Sequence, residues 1–368
     1  MIKHCGGLPL AVKVLGGLLA SQHTLKGIQK PRYYDGASIR NVADGYIEEL
    51  VKRNMVISVR DKLTSRFETC HLHDMMREVC LLKAEEENFL QIVDRKITAN
   101  AKFPCKSRRL TVHRHDGTYH LEGENPKLRS LLFLKKQLRG MVMWMASDLF
   151  FSRIQLMRVL DLSHAEFEGG KLPSSIGKLI HLRYLSLSQA YVTHLPSSIQ
   201  NLKLLVYLNL CVQEKYSIYM PPNFMKDTRE LVYLFLPEEI NDKVVVELGN
   251  LVNLETLQNF SIKHCSVRDL LRMKNLETLS VFVDSKGCTT EALSSSLSKF
   301  RHLESLTVSG YSNDKEGFVL DCCNLKQLNS SIYMPRLNLP SHLTNHNSNW
   351  LSFGGGSDAN SREAASLI

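Results

Sequence analysis

The chain has 368 residues, 43% of them hydrophobic and 23% charged, with nine cysteines and a formal net charge of +9. That apolar content excludes a wholly disordered chain, and an odd cysteine count without paired spacing fits free thiols in a reducing compartment better than a secreted disulfide framework. The charge is uneven, since residues 1–109 hold 19 Lys and Arg against 12 Asp and Glu, leaving +2 for the remainder.

Lys3 and the apolar residues that follow it have the outline of a secretory leader, but Lys13 splits the run. Only Val14 to Ala20 is uninterrupted, the short limit for a leader and far too short to span a bilayer. A cytoplasmic protein, with the inner face of the plasma membrane as a further location, is therefore expected. Leu10, Val14, Leu15, Leu18 and Leu19 recur at helical spacing, and Pro9, with its fixed φ, suits a first helical turn. The pattern predicts a helix from Pro9 that fades near Ser21.

Between Val42 and Val51 the apolar residues fall in adjacent pairs four apart, Val42/Ala43, Tyr46/Ile47 and Leu50/Val51, which is one wide stripe of a helix. Met55 to Val59 and Phe67 to Leu72 read as strands joined by a polar loop. A second helix is expected from about Asp74 to Glu87, with the Asp74 carboxylate at its positive N-terminus. Helix, hairpin, helix is the outline of a winged-helix domain. In a DNA reader of that class a helix enters the major groove, but the stretch from Asn41 to Arg53 would present Asp44, Glu48 and Glu49 to phosphate. No nucleic-acid partner is expected.

Arg95, Lys96, Lys102, Lys106, Arg108 and Arg109 form a basic cluster that suits phosphate or an anionic membrane. The plainer reading, a solvated linker over residues 94–107, is adopted.

Two thirds of the chain then carries a leucine ladder. Leu160, Leu185, Leu208, Leu234, Leu257, Leu279, Leu306 and Leu328 lie 25, 23, 26, 23, 22, 27 and 22 residues apart. Each has an apolar residue three positions earlier, and most have another two positions later, so every unit contains a short strand with one buried face. Repeats of this length are leucine-rich repeats, and stacking them builds an α/β solenoid with a long concave surface suited to binding. Ser107 to Val112 and Lys127 to Phe133 give two imperfect opening units. Pro-Ser-Ser-Ile recurs at Pro173 and Pro196 in the arcs between strands. The ladder fails near Pro335, and residues 335–368 are predicted to be irregular.

Tyr184, Tyr207 and Tyr233 take one place in successive units, and Phe235 joins them. Aromatic residues are enriched where proteins bind, while stacked tyrosines also ladder across neighbouring strands for purely structural reasons. Asp161, Ser186, Asn209 and Ser280 are the polar candidates on the same surface. Cys70, His71, His73 and Cys80 match no structural zinc spacing, so no metal is expected. No nucleophile elbow or Cys–His setting stands out, and a non-enzyme is expected.

Three features together resemble the plant nucleotide-binding leucine-rich-repeat disease-resistance proteins of the coiled-coil class. Gly7-Leu8-Pro9-Leu10-Ala11 matches that family's GLPLA motif, Leu72-His73-Asp74 stands where the family has Met-His-Asp, and Leu172-Pro173-Ser174-Ser175-Ile176-Gly177-Lys178-Leu179 continues into Leu182-Arg183-Tyr184-Leu185-Ser186-Leu187 as a plant-type repeat. The resemblance covers residues 1–343. It implies a fragment of the NB-ARC nucleotide switch at 1–26, a winged-helix remnant at 27–93 and a recognition solenoid at 108–334. It further implies an ADP/ATP switch in which His73 contacts phosphate and Pro9 the base, with a pathogen effector, a guarded host protein or other resistance-protein domains as partners.

The sequence departs from that family in two respects. No Gly-x-x-x-x-Gly-Lys-Ser/Thr loop is present to cradle phosphates, and Leu25-Lys26 runs into Gly27-Ile28 without the helices expected before the hairpin, the mark of an internal deletion. Two other readings are a nucleotide-independent leucine-rich-repeat adaptor and a winged-helix DNA-binding protein.

Overall fold

The computed structural model describes residues 39–60, 67–93, 107–114, 125–135, 142–143, 148–213, 217–283, 290–310, 318–319, 325–330 and 337–338. The helix expected at Pro9, the linker up to Lys106 and the tail from 339 lie outside the described residues. The chain divides after Glu87 into two compact units, each described by itself.

In the first unit, helix α1 (Ile39–Lys52) leads into strands β1 (Val56–Arg60) and β2 (Phe67–Leu72), and helix α2 (Asp74–Glu86) follows. All four elements stand where the apolar spacing placed them. The strands pair antiparallel with Val56 opposite Leu72. Met55 and Met76 are buried, with Val56, Leu72 and Cys80 packed against them. The carboxylates of α1 are held by neighbouring cations: Glu48 lies 3.3 Å from Lys52 and 3.8 Å from Arg60, and Glu49 2.6 Å from Arg53.

The second unit is a solenoid around one long parallel sheet. Its strands are β3 (Leu90–Val93), β4 (Arg109–Arg114), β5 (Ser130–Lys135), β7 (Val159–Asp161), β9 (Tyr184–Ser186), β10 (Tyr207–Asn209), β11 (Tyr233–Phe235), β12 (Thr256–Ser261), β13 (Thr278–Val283), β14 (Ser305–Gly310) and β16 (Gln327–Ser330), in simple chain order. The short strands β6 (Val142–Met143) and β8 (Ala165–Glu166) pair beside it, as do β15 (Phe318–Val319) and β17 (Leu337–Asn338). Register is set by the leucines: Leu110, Leu131, Leu160, Leu185, Leu208, Leu234, Leu257, Leu279, Leu306 and Leu328 are consecutive partners. All ten are buried in a single continuous core.

The sheet opens one rung before the pattern at Ser107. Leu90–Val93 pairs in parallel with Arg109–Val112. A lone four-residue strand without an apolar residue three positions earlier carries no ladder signal.

The arcs that return the chain from strand to strand include the 3₁₀ turns Ser174–Lys178 and Ser197–Asn201, each following the proline of a Pro-Ser-Ser-Ile segment. A Cβ on Gly177 would lie 2.4 Å from the Ser198 carbonyl oxygen, so these arcs pack backbone on backbone. Leu208→Ala empties one rung of the core and is expected to cost about 2–5 kcal/mol. Gly177→Ala, which forces adjacent arcs apart, is expected to cost about 1–3 kcal/mol. Urea denaturation of the two variants against wild type checks both.

Candidate functional site

A parallel sheet in register turns equivalent positions of each repeat into columns. The residue before each central leucine gives Arg109, Ser130, Val159, Tyr184, Tyr207, Tyr233, Thr256, Thr278, Ser305 and Gln327, read from the strand pairings. The aromatic residues anticipated as binding contacts meet here. The Tyr184 and Tyr207 rings stack at 4.3 Å with planes 12° apart, and Tyr207 also meets Tyr233 at 6.1 Å and Phe235 at 5.2 Å.

These rings are less available than the sequence suggested. Tyr207, Tyr233 and Phe235 are only 5%, 5% and 6% exposed, and Tyr184 is half-buried. Burial first, then the neighbouring Tyr207 and Asp161, hold the Tyr184 phenol well above its ordinary range. The Tyr233 hydroxyl donates to Glu255 at 3.4 Å. The four rings form an internal aromatic ladder, with the edge of Tyr184 as its accessible part.

The polar candidates stand one position after the central leucine, where they end their strands. Asp161 accepts from the Ser163 backbone N–H at 2.9 Å and from its hydroxyl at 2.5 Å. Asn209 accepts from the Cys211 N–H at 2.9 Å, and Ser186 from the Ser188 N–H at 3.4 Å, while the Ser163 and Ser186 hydroxyls lie 2.9 Å apart. Each short side chain satisfies the backbone donor two residues on as the chain leaves the sheet. Ser280 lies half-buried in β13. Beneath this surface, burial pushes the Cys211 and Cys265 thiols up to about 12.

A further column escaped the sequence reading. Two positions before each central leucine stand Arg108, Arg129, Arg158, Arg183, Val206, Val232, Glu255, Glu277, Glu304 and Lys326. The carbonyl of each accepts the backbone N–H of the next, from Arg129 N–H to Arg108 at 2.7 Å through Lys326 N–H to Glu304 at 2.7 Å. The signal was present as Leu128-Arg129, Met157-Arg158 and Leu182-Arg183 at one end and Leu254-Glu255, Leu276-Glu277 and Leu303-Glu304 at the other. A search for apolar periodicity passes over it.

In the first unit, His73 is half-buried at the start of α2, with no hydrogen bond from its side chain to the helix end, and Asp74 occupies the first turn. Pro9 lies outside the described residues. Among the described residues no group of three His, Cys, Asp or Glu is placed to hold a metal ion, and no helix is long and apolar enough to cross a membrane.

A family profile described as leucine-rich repeat region matches residues 127–352. A probable disease resistance protein of Arabidopsis thaliana is 49% identical over 94% of this chain and 47% of its own length. The probable disease resistance protein RXW24L of the same plant is 45% identical over 94% of this chain and 46% of its own. The chain thus spans about half the length of these relatives. The alignments run over 428 and 422 positions against 94% of 368 residues, so each relative carries internal positions that this chain lacks. The solved structure of an internalin from Listeria monocytogenes superimposes with a TM-score of 0.45 at 17% identity, covering 61% of this chain and 62% of that one.

Because Tyr207 touches three aromatic neighbours, Tyr207→Ala is expected to lower stability by about 3–5 kcal/mol. Tyr207→Phe, which keeps the ring, is expected to cost about 1 kcal/mol or less. Near-ultraviolet circular dichroism followed through thermal unfolding distinguishes the two.

Proposed function

The chain belongs to the leucine-rich-repeat family, and from its kinship with plant disease-resistance proteins we propose that it is an innate-immune recognition protein whose strand face binds a pathogen effector or a guarded host protein. The observation that carries this reading is the in-register sheet itself. Ten rungs present the same backbone frame with different side chains, so partner specificity is written in the columns while the leucines keep the frame constant. Its action is binding rather than catalysis, in the cytoplasm.

The helix–hairpin–helix unit is read as the winged-helix remnant of a nucleotide switch. Supporting this, Leu72-His73-Asp74 falls at the junction of β2 and α2, where the family motif is expected. The positions missing relative to the Arabidopsis proteins agree with the deletion read at Lys26-Gly27. The residues present do not fit an intact ADP site. His73 is the single family contact among the described residues, and the sequence holds no glycine-rich loop to supply backbone N–H groups to phosphate. The switch is therefore read as degenerate, and recognition as independent of nucleotide.

Two measurements test these statements. Calorimetric titration of ADP with magnesium into the purified chain is expected to give no binding; micromolar affinity that disappears in His73→Ala would show a working switch instead. For recognition, full-length chain recovered from challenged leaf tissue is compared with Ser280→Arg/Thr307→Arg on the strand face and Lys178→Glu/Lys203→Glu on the arcs. A partner kept by wild type and the arc variant but lost by the strand-face variant supports the reading, and equal retention by all three removes it.

A further inference from the structure

We propose that the arginine column at the first rungs of the solenoid receives the acidic face of an α-helix from a protein partner, lying along the stacking direction. This deepens the recognition reading and rests on it. Arg108, Arg158 and Arg183 are exposed and Arg129 is half-buried. None of the four takes part in an ion pair with a described residue. Beside them Arg109 stacks its guanidinium over the Phe89 ring at 4.0 Å. Its pKa is lowered by burial first and then by the charges of Arg129 and Arg108. Five like charges thus stand together on adjoining rungs, and an opposite charge brought among them relieves their repulsion.

Spacing selects the helix. Rungs of a sheet stand about 4.8 Å apart, so four arginines span about 14 Å. Carboxylates on one face of an α-helix recur every three or four residues, about 5.4 Å per turn, and stay within reach of long arginine side chains over four rungs. An extended peptide places same-face side chains about 6.7 Å apart and is out of step by the second rung.

The far end of the column selects a protein over a uniform polyanion. Beyond Val206 and Val232 come Glu255, buried against the Tyr233 hydroxyl, then the half-buried Glu277 and Glu304, the latter 2.9 Å from Lys326. A nucleic acid laid along the column would carry its phosphates onto these carboxylates. A helix with acidic residues over the first rungs and apolar or basic residues beyond them meets no such repulsion. Asp161, the carboxylate nearest in the adjoining column, is engaged by Ser163.

The probe is a fluorescein-labelled alanine-based helical peptide with Glu at every third or fourth position, so that four carboxylates share one face. Its controls are an isomer of the same composition with Glu scattered around the helix, a counterpart with Lys in place of Glu, and single-stranded oligothymidine. Fluorescence anisotropy is expected to show the Glu-faced peptide binding about tenfold or more tightly than its scattered isomer. Binding should weaken with salt and drop by about tenfold in Arg158→Glu/Arg183→Glu. That variant should gain affinity for the Lys-faced peptide, which also shows that it is folded. Equal binding of the scattered isomer, or indifference to charge reversal, overturns the proposal. So does displacement by oligothymidine at equal charge concentration. If partner capture is lost in Ser280→Arg/Thr307→Arg while the Glu-faced peptide fails to bind wild type, the helix proposal falls and the recognition reading stands. Peptide binding with capture unaffected by that variant removes the recognition reading and leaves a basic site of another use.

Discussion

The solenoid depends on the backbone hydrogen bonds that cross from one repeat to the next just before each central leucine. The Arg158 carbonyl accepts from both Arg183 N–H and Tyr184 N–H, the Arg183 carbonyl from Val206 and Tyr207, and the Val232 carbonyl from Glu255 and Thr256. This paired acceptance fixes register at every rung. With register fixed, Leu160, Leu185, Leu208 and their equivalents fall above one another, and each buries its side chain against the repeats on either side. A single repeat has no second face to cover its leucine, so the hydrophobic gain appears only on stacking. Moving one strand by one residue would turn its leucine outward and bring a charged or aromatic neighbour into the core.

The same constraint governs the surface. Once rungs are held about 4.8 Å apart, identical side chains at equivalent positions are forced into contact, and the chemistry of the residue decides what the contact does. Flat aromatic rings attract one another at this spacing, so Tyr184, Tyr207 and Tyr233 close over themselves. Guanidinium groups repel at the same spacing and spread toward water. One geometry therefore makes the tyrosine column internal and the arginine column external.

Much of this was legible in the sequence because leucine burial leaves a period. The central leucines, the arcs opened by Pro173 and Pro196, and the hairpin between Met55 and Leu72 all carry patterns produced by one buried face. Leu90–Val93 was not legible, because its pairing with Arg109–Val112 is settled by the neighbouring strand and leaves no trace in its own spacing. The burial of Tyr207 and Phe235 was hidden for a related reason: alternation says which face of a strand a residue occupies, and only packing across rungs says whether that face is covered. Asp161 and Asn209 illustrate a third limit. Their position after the central leucine marks them as polar surface, but the same position places a backbone N–H two residues on that needs an acceptor, and the side chain answers that need first.

The two units differ in how their stability is built. In the solenoid, core residues from Leu110 to Leu328 form one connected cluster, so loss of a contact at one rung is shared with its neighbours. In the helix–hairpin–helix unit the buried set is short, Met55, Phe67 and Met76, while Tyr46, Leu50, Ile57, Val59, Met75 and Leu82 are exposed. Small domains bury a smaller fraction of their apolar surface and have correspondingly little stability in reserve. Such a unit is poorly suited to hold a ligand by rigid geometry, because positioning several donors around a phosphate requires a frame that costs more to deform than the ligand returns on binding. The solenoid supplies that frame through its register. Recognition chemistry therefore belongs with the columns of the sheet, even though the more distinctive motif, Leu72-His73-Asp74, lies in the smaller unit.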